Sequence, residues 1–143
     1  MSKLKTAEVV IAEDDLIIAR LEQYSLQKTV HCTPVICKNG KEAIKYLDKR
    51  KDPDTPVLLI LDLNMPVLDG WDFLGILESK PYSKNIFVVV VTSSIFQEDQ
   101  KRALNNPQVI GYFVKPLFRD HFKQIFELPQ INHLFADSIL PHT

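Results

Sequence analysis

The fold of this chain is decided by the stretch VLLILDLNMP, residues 57–66. It begins with an apolar run, and a run of this length bounded by turn-forming residues is typical of a fully buried strand. Residues 63–66 and the Asp69-Gly70 pair beyond them indicate a loop. Asp62 therefore stands at the carboxyl end of a buried strand, which is where open α/β sheets bind their ligands.

Length and composition restrict the class of protein. The chain has 143 residues, which fits one domain, and its 45% hydrophobic and 24% charged residues are usual for a globular protein. A formal net charge of −1 offers no basic field to nucleic acid, and no apolar run approaches the ~20 residues that span a bilayer. Cys32 and Cys37 lie too close in the chain to join distant parts of the fold, so we expect a reducing, cytoplasmic location.

Strands and helices are predicted to alternate. Apolar, β-branched segments predict strands at residues 9–12, 34–37, 57–62, 86–92 and 109–114. A helical pattern follows each of them, at residues 16–28, 41–49, 71–79, 97–104 and 118–126. The predicted fold class is α/β: a doubly wound, five-stranded parallel sheet with helices on both faces, the (βα)5 arrangement of flavodoxin-like folds.

The predicted helices carry apolar faces. In the first helix Ile17, Leu21 and Tyr24 share one face, and Asp14 or Asp15 can cap the first turn. The second, third and fifth helices have apolar positions at 43, 44 and 47, at 74 and 77, and at 118, 122, 125 and 126. Residues 128–143 contain two prolines and little periodicity, which indicates either a short packed extension or a loose tail.

Polar and charged groups follow four of the predicted strands. In chain order these groups are Glu13-Asp14-Asp15, Asp62, Thr92-Ser93-Ser94 and Lys115-Pro116. Because the strands are parallel, the groups are expected to meet at one edge of the sheet. Clustered carboxylates repel one another unless they bind a cation, and oxygen ligands without histidine or thiol favour Mg²⁺ over zinc.

A site of this composition suits phosphoryl chemistry. Mg²⁺ that keeps open positions usually binds phosphate oxygens, and a lysine and a hydroxyl can donate to the remaining phosphoryl oxygens. One carboxylate would be left to act as the nucleophile, which would give an aspartyl phosphate.

With these groups in this order at the strand ends, the chain resembles the response-regulator receiver domain, the phosphoacceptor module of two-component signalling. The resemblance runs from about Ala7 to Phe126 and is to stand-alone receivers of the chemotaxis-regulator kind. It implies a receiver domain at residues 1–127, followed by an extension or tail at 128–143. The markers stand in order at the strand ends: Glu13-Asp14, LDLNMP at 61–66, Asp69-Gly70, Thr92-Ser93 and Lys115-Pro116.

The resemblance implies a role for each acidic residue. Asp62 would be phosphorylated, and Asp14 and Asp62 would bind Mg²⁺ directly. Glu13 would act on the metal more through water, and the backbone carbonyl of Asn64 would be a further ligand. Asp15, the last acid of its run, is expected to cap the helix outside the metal site.

The resemblance also implies which residue would neutralise the phosphoryl group and which residues would change conformation once it has formed. Lys115 would bind the phosphoryl group, and Thr92 would hydrogen-bond that group once it has formed. Tyr112 matches the aromatic switch position of the family, and the bond between Lys115 and Pro116 resembles one that is cis in the family. Asn64 and Ser94 occupy positions that tune the lifetime of the phosphoryl group in the family.

The implied partners are proteins. A sensor histidine kinase or a histidine phosphotransfer protein would supply the phosphoryl group. Few residues follow Lys115, so we expect a stand-alone receiver that acts on a downstream protein target, passes its phosphoryl group onward, or forms a homodimer through its last helix. Neither nucleic acid nor a membrane is expected as a partner.

Two alternative functions stay open. A Mg²⁺-dependent phosphohydrolase with an aspartate nucleophile usually has a second acid two residues later, where this chain has Asn64, which cannot act as a general acid. A phosphorylation-independent binding module usually lacks the acidic pair, the aspartate or the lysine, and this chain has all of them. A dinucleotide-binding site is excluded because no glycine-rich turn follows the first predicted strand.

Overall fold

A computed structural model describes residues 7–141; residues 1–6 and 142–143, the outer ends of the two predicted domain ranges, lie outside the described residues. No helix within residues 7–141 is long and apolar enough to cross a membrane. Strands and α-helices alternate in this order: β1 (Glu8–Ala12), α1 (Leu16–Gln27), β2 (Val35–Cys37), α2 (Gly40–Asp48), β3 (Val57–Asp62), α3 (Gly70–Glu78), β4 (Ile86–Thr92), α4 (Gln97–Leu104), β5 (Val109–Val114) and α5 (Arg119–Phe126). Short 3-10 turns lie at Ser83–Asn85, Asn132–Leu134 and Ala136–Ser138.

The strands form one parallel sheet with the order β2-β1-β3-β4-β5. This order confirms the predicted doubly wound, flavodoxin-like class. β3 lies at the centre and is buried along its whole length, as its unbroken apolar sequence requires. The bounds of β3, β4, β5 and α4 are those predicted, and each other element differs by one residue at one or both ends.

Side-chain caps explain where α2 and α3 begin. Asn39 Oδ1 accepts the backbone N–H of Glu42 at 2.8 Å, and Asp69 Oδ1 accepts that of Asp72 at 2.8 Å. Each helix therefore starts at the glycine directly after its cap, one residue before the predicted start.

The sheet has a hydrophobic core on each face. The core beneath α2 and α3 contains the predicted inward positions Leu47, Leu74 and Leu77. The core beneath α1 and α5 contains Phe122, Ile125 and Phe126, again as predicted. Phe118 is the exception: it precedes α5 and its side chain is exposed.

α1 presents its apolar face to solvent. Ile17, Leu21 and Tyr24 do share a face, but all three side chains are exposed, Ile17 to 73%. The buried residues of α1 are Ala19, Glu22 and Leu26. Several larger apolar side chains therefore lie outward, and the face that packs on the sheet carries a carboxylate beside Ala19 and Leu26.

Residues beyond α5 pack against the domain, which decides between the two predicted alternatives. Ile131 and Phe135 are buried in the core beneath α1 and α5. The ring of Phe135 meets that of Phe126 edge to face, with centroids 5.0 Å apart. An antiparallel bridge between Val30 and Ile139 holds the far end of the segment. Residues 128–141 thus form a packed extension.

Candidate functional site

Neighbouring strand ends bring the predicted polar groups to one edge of the sheet. β1 pairs with β3 up to Ala12 and Leu61, so Glu13, the next residue after β1, lies beside Asp62 at the end of β3. Thr92 ends the adjacent strand β4, and Lys115 follows β5. The backbone N–H of Lys115 donates to Thr92 O at 2.8 Å, which joins the last two groups.

Three carboxylates face one another at this edge. Oxygen atoms of Glu13, Asp14 and Asp62 lie within 4.8 Å of one another. Glu13 and Asp62 are buried, whereas Asp14 is exposed. An oxygen-only cluster that is open on one side fits a hard divalent cation that keeps part of its water.

Asp15 belongs to the helix and not to the carboxylate cluster. Its Oδ1 accepts the backbone N–H groups of Ile17 at 2.9 Å and Ile18 at 3.3 Å, so it is the N-cap of α1, as predicted. Its own N–H donates to Glu13 Oε2 at 3.1 Å. The helix cap therefore also holds one oxygen of the Glu13 carboxylate in place.

Lys115 is shared between two buried carboxylates. Its Nζ lies 2.8 Å from Asp62 Oδ2 and 2.8 Å from Glu13 Oε1. Burial disfavours the ammonium, but hydrogen bonds to Asp62 and Glu13 outweigh that penalty, and the pKa of Lys115 is raised above its ordinary value. The lysine is therefore cationic at neutral pH. The bond between Lys115 and Pro116 is cis, as the resemblance implies.

The buried acids exceed the charge that Lys115 supplies. Burial raises the pKa of Glu13 to about 7, against the lowering effect of its hydrogen bond to Lys115. Burial also raises the pKa of Glu22 to about 8, and the charge of Glu13 adds to the rise. Glu22 is 1% exposed, and its Oε2 has no hydrogen-bond partner among the described residues. Sequence reasoning missed Glu22, because a glutamate within a helix carries no signal of burial.

The loop after Asp62 is tightly built. The backbone N–H of Asn64 donates to Asp62 Oδ1 at 3.0 Å. A Cβ on Gly70 would lie 2.7 Å from the Cα of Leu63, so only glycine fits where the loop meets α3. Val67 has a φ of 71° and is 77% exposed. A β-branched residue in the left-handed region is strained.

Ser94 connects the predicted sensor and switch residues. Its backbone N–H donates to Thr92 Oγ1 at 3.1 Å, and its carbonyl accepts the hydroxyl of Tyr112 at 3.3 Å. Its own hydroxyl donates to Asp99 Oδ2 at 2.6 Å and accepts the N–H of Phe96 at 3.2 Å. Sequence reasoning missed Asp99, because an acid in the first turn of a helix is ordinary.

The sequence of the chain is similar to those of known regulatory proteins. Residues 9–127 match the family model described as response regulator receiver domain. The chain is 32% identical over 122 residues to the response regulator Rcp1 of Synechocystis sp., covering 82% of each chain. It is 33% identical over 92 residues to the probable methanogenesis regulatory protein FilR2 of Methanothrix harundinacea, covering 63% of this chain and 59% of that one.

Solved structures extend the similarity. The phosphorylated cyanobacterial phytochrome response regulator RcpA is 30% identical, with 91% of this chain and 94% of that chain covered at a TM-score of 0.68. The Mn²⁺-bound form of Rcp1 is 27% identical, with 95% and 99% covered at a TM-score of 0.68. Similarity to response regulators therefore extends over nearly the whole of the chain.

Proposed function

The chain belongs to the response regulator receiver domain family of two-component signalling, and we propose that Asp62 is its phosphoacceptor. The observation that carries this proposal is the 2.8 Å contact between Lys115 Nζ and Asp62 Oδ2, beside the carboxylates of Glu13 and Asp14. A buried aspartate in contact with a lysine is suited to act as nucleophile where phosphoryl charge must be neutralised. We assign residues 1–127 to the receiver and 128–143 to its extension.

The metal-binding residues are proposed from the oxygen-only cluster together with the roles that the family resemblance implies. Asp14 and Asp62 would hold Mg²⁺ directly, Glu13 through water, and the backbone carbonyl of Asn64 would be a further ligand. When bound, Mg²⁺ supplies positive charge for the phosphoryl oxygens. The 4.8 Å grouping of the three carboxylates supports this assignment. The Mn²⁺-bound form of the relative Rcp1 supports a divalent cation.

Phosphoryl transfer would form one bond and break another. An oxygen of the Asp62 carboxylate would attack the phosphorus of a phosphohistidine on the partner. The P–N bond would break, and the imidazole nitrogen would keep the electron pair and take up a proton. Lys115 would contact a phosphoryl oxygen as negative charge shifts towards Asp62, because its Nζ already lies beside that carboxylate.

The hydrogen bonds of Ser94 provide a route from the phosphoryl group to the surface. Thr92 Oγ1 would turn to the new phosphoryl oxygens and give up the N–H of Ser94. Ser94 would then release the hydroxyl of Tyr112, whose ring would move inward and reshape the face formed by α4, β5 and α5. The change is a population shift between two conformers, biased by contacts to the phosphoryl group.

The phosphodonor would be a protein. Exposed apolar side chains lie around the carboxyl edge of the sheet: Ile17 at the start of α1, Val67 in the loop after β3, and Ile95 and Phe96 before α4. Clustered exposed apolar groups are typical of protein-contact surfaces. We assign this rim to a sensor histidine kinase or a histidine phosphotransfer protein.

The cellular location would be the cytoplasm. Cys32 and Cys37 are both free thiols, Cys37 buried and Cys32 partly so. Free thiols are usual in the reducing compartment in which a kinase of this kind would act.

Intact-mass measurement tests the phosphoacceptor. Wild-type protein incubated with acetyl phosphate and Mg²⁺ is expected to gain the mass of one phosphoryl group. Asp62→Asn is expected to gain none, and Asp54→Asn, which alters an exposed loop aspartate, is expected to behave as wild type. A wild type that gains no mass, or a gain that survives Asp62→Asn, would show that the proposal is wrong.

The proposed role is that of a signalling domain and not of an enzyme acting on other substrates. Asn64 supports this role, because its amide cannot serve as the general acid of a phosphohydrolase. Multiple-turnover hydrolysis of a generic phosphomonoester, lost in Asp62→Asn, would contradict it.

The downstream partner would bind the face formed by α4, β5 and α5. One candidate is a second copy of the chain. Solution mass measured by light scattering is expected to rise when beryllofluoride, which mimics the phosphoryl group, is added with Mg²⁺. An unchanged mass would contradict the homodimer and favour a separate protein target.

A further inference from the structure

A groove lies between α1, α5 and the end of the extension. Its deeper part is partly open to solvent, with a volume of about 130 Å³ and an apolar wall that includes Phe126, Ile139 and Leu140. A shallower part of about 620 Å³ continues it, and the two parts share Lys28, Arg119 and Leu140. The groove contains none of the residues assigned to the phosphoacceptor site.

The extension forms one wall of this groove and is joined to the domain by backbone hydrogen bonds. Ile139 pairs with Val30 in the antiparallel bridge, and the N–H of Leu140 donates to Thr29 O at 2.8 Å. The family match ends at residue 127, so this wall lies outside the part that the chain shares with the family model. A preformed wall lowers the entropy cost of binding.

The charge of the groove is positive and unpaired. Lys28, Arg119 and Lys123 line it, whereas Glu127 is the only carboxylate on its walls among residues 7–141. None of these side chains takes part in an ion pair within the described part of the chain. The whole chain has a formal charge of −1, so the local excess of cations is a property of this surface.

The shape of the groove suits an extended ligand. Its deeper part measures about 130 Å³ and suits a single apolar side chain, and the shallower part of about 620 Å³ leaves room for flanking residues. Lys28, Arg119 and Lys123 lie beside the deeper part, and lysine and arginine bind carboxylates through charge-assisted hydrogen bonds. We propose that this groove binds an acidic peptide segment of a partner protein, with one apolar side chain in the deeper part and flanking carboxylates on Lys28, Arg119 and Lys123.

Amide chemical shifts of the unphosphorylated protein test this proposal separately from the phosphoacceptor site. The probe is a short peptide with glutamates around one leucine. We expect saturating shift changes at Thr29, Lys123 and Leu140. Weak or absent changes are expected when lysines replace the glutamates or alanine replaces the leucine.

Charge reversal in the groove provides the matched comparison. Arg119→Glu with Lys123→Glu should weaken binding of the glutamate peptide by at least about tenfold. Lys41→Glu with Lys45→Glu changes the net charge equally at the same spacing on α2 and should leave the affinity unchanged. If the first pair does not fold, Arg119→Gln with Lys123→Gln provides the same comparison.

Several results would overturn the proposal. These are the absence of saturating shifts, shifts confined to other surfaces, an equal response to the lysine or alanine peptide, or equal weakening by both charge-reversal pairs. Binding to phosphatidylglycerol vesicles without any response to the glutamate peptide would also overturn it, in favour of a membrane surface.

Discussion

Each edge of the sheet holds a cation in contact with carboxylate, Arg50 buried at the amino edge and Lys115 partly buried at the carboxyl edge, but only the amino edge is balanced. There Arg50 Nη1 lies 3.3 Å from Glu8 Oε2, and the same guanidinium donates to Thr55 O at 2.7 Å and Pro53 O at 3.1 Å. The hydroxyl of Tyr46 donates to Glu8 as well. One cation meets one carboxylate, and two main-chain carbonyls accept from its Nη groups, so the loop before β3 is fixed to β1. The Nε of Arg50 has no hydrogen-bond partner among the described residues.

The carboxyl edge is unbalanced. Lys115 is the cation that meets both Glu13 and Asp62, and Asp14 adds a third carboxylate. An excess of buried acid opposes folding and favours binding of a cation. Similar residue types thus stabilise the fold at one edge and form the proposed phosphoacceptor site at the other, and the ratio of charges makes the difference.

The largest effect is expected from Lys115→Met. The variant removes the positive charge that contacts Asp62, so the rate of phosphorylation by acetyl phosphate should fall about 10²–10³-fold. Arg50→Met, the corresponding change at the amino edge, should leave the rate within about twofold of wild type. The rates are measured by intact mass over time, and similar losses in both variants would remove the functional distinction between the edges.

The next largest effect is expected at Glu22, a further carboxyl group that is buried in the core. Its pKa is raised to about 8 in the folded protein, whereas the unfolded value is ordinary. Between these values the folded protein binds the extra proton, so stability is highest at low pH and falls as pH rises towards 8. Glu22→Gln should remove this loss and be more stable than wild type by on the order of 3 kcal/mol at pH 8.

Urea unfolding in chelator-treated buffer at pH 5 and pH 8 measures the Glu22 effect. The two proteins should differ little at pH 5, where the buried carboxyl of the wild type is protonated. Glu78→Gln, at an exposed position on α3, should change stability at neither pH. An equal gain for Glu22→Gln at both pH values would contradict the titration.

A change in stability smaller than the Glu22 effect is expected when the contacts of Arg50 at the amino edge are removed. Arg50→Met removes the donor of the Thr55 carbonyl and one of the donors to Glu8 and to the Pro53 carbonyl, and should cost about 2 kcal/mol. Lys51→Met, at the exposed neighbouring position, is the control and should cost little. Urea unfolding measures both, and equal stabilities would show that the amino edge does not depend on this cation.

Val67, in the loop beside the carboxyl edge, has a strained backbone, and relieving that strain should stabilise the protein. Val67→Asn should stabilise the protein by about 1 kcal/mol, because asparagine tolerates a positive φ better than a β-branched residue. Ile95→Asn, also exposed but without that backbone, should not stabilise it. Both variants should accept phosphoryl groups from acetyl phosphate normally. A loss of stability in Val67→Asn would contradict the assignment of strain.

The smallest effect is expected at the Ser94 hydroxyl. Asp99→Ala removes its acceptor and should favour the phosphorylated-like conformer, so affinity for beryllofluoride should rise about two- to fivefold by linkage. Glu98→Ala removes an exposed acid from the same helical turn and should leave the affinity unchanged. Isothermal titration measures both, and a fall in affinity for Asp99→Ala would reverse the inferred role of the hydrogen bond.

The central strands and the edge site were predictable for local reasons. β3 and β4 are long apolar runs, rich in β-branched residues in the case of β4, and such runs carry their own signal. The meeting of Glu13, Asp62 and Lys115 follows from one topological rule, since parallel strands present their carboxyl ends at the same edge. Which face of α1 packs against the sheet was not predictable. That face carries the buried Glu22, which contradicts the usual preference for apolar residues inside.

The sequence by itself determined the order of strands and helices and the chemical groups at the strand ends, because both are written in contiguous stretches. The tertiary structure alone decided that Glu22 is buried, that Ser94 joins Thr92 to Asp99, and that the extension forms the wall of a cationic groove. It also placed a single lysine, Lys115, in contact with two buried carboxylates, Glu13 and Asp62. The burial of Glu22, the groove and the contacts of the lysine depend on packing between segments far apart in the chain, and the hydrogen bonds of Ser94 depend on local side-chain geometry. Neither leaves a periodic pattern in the sequence.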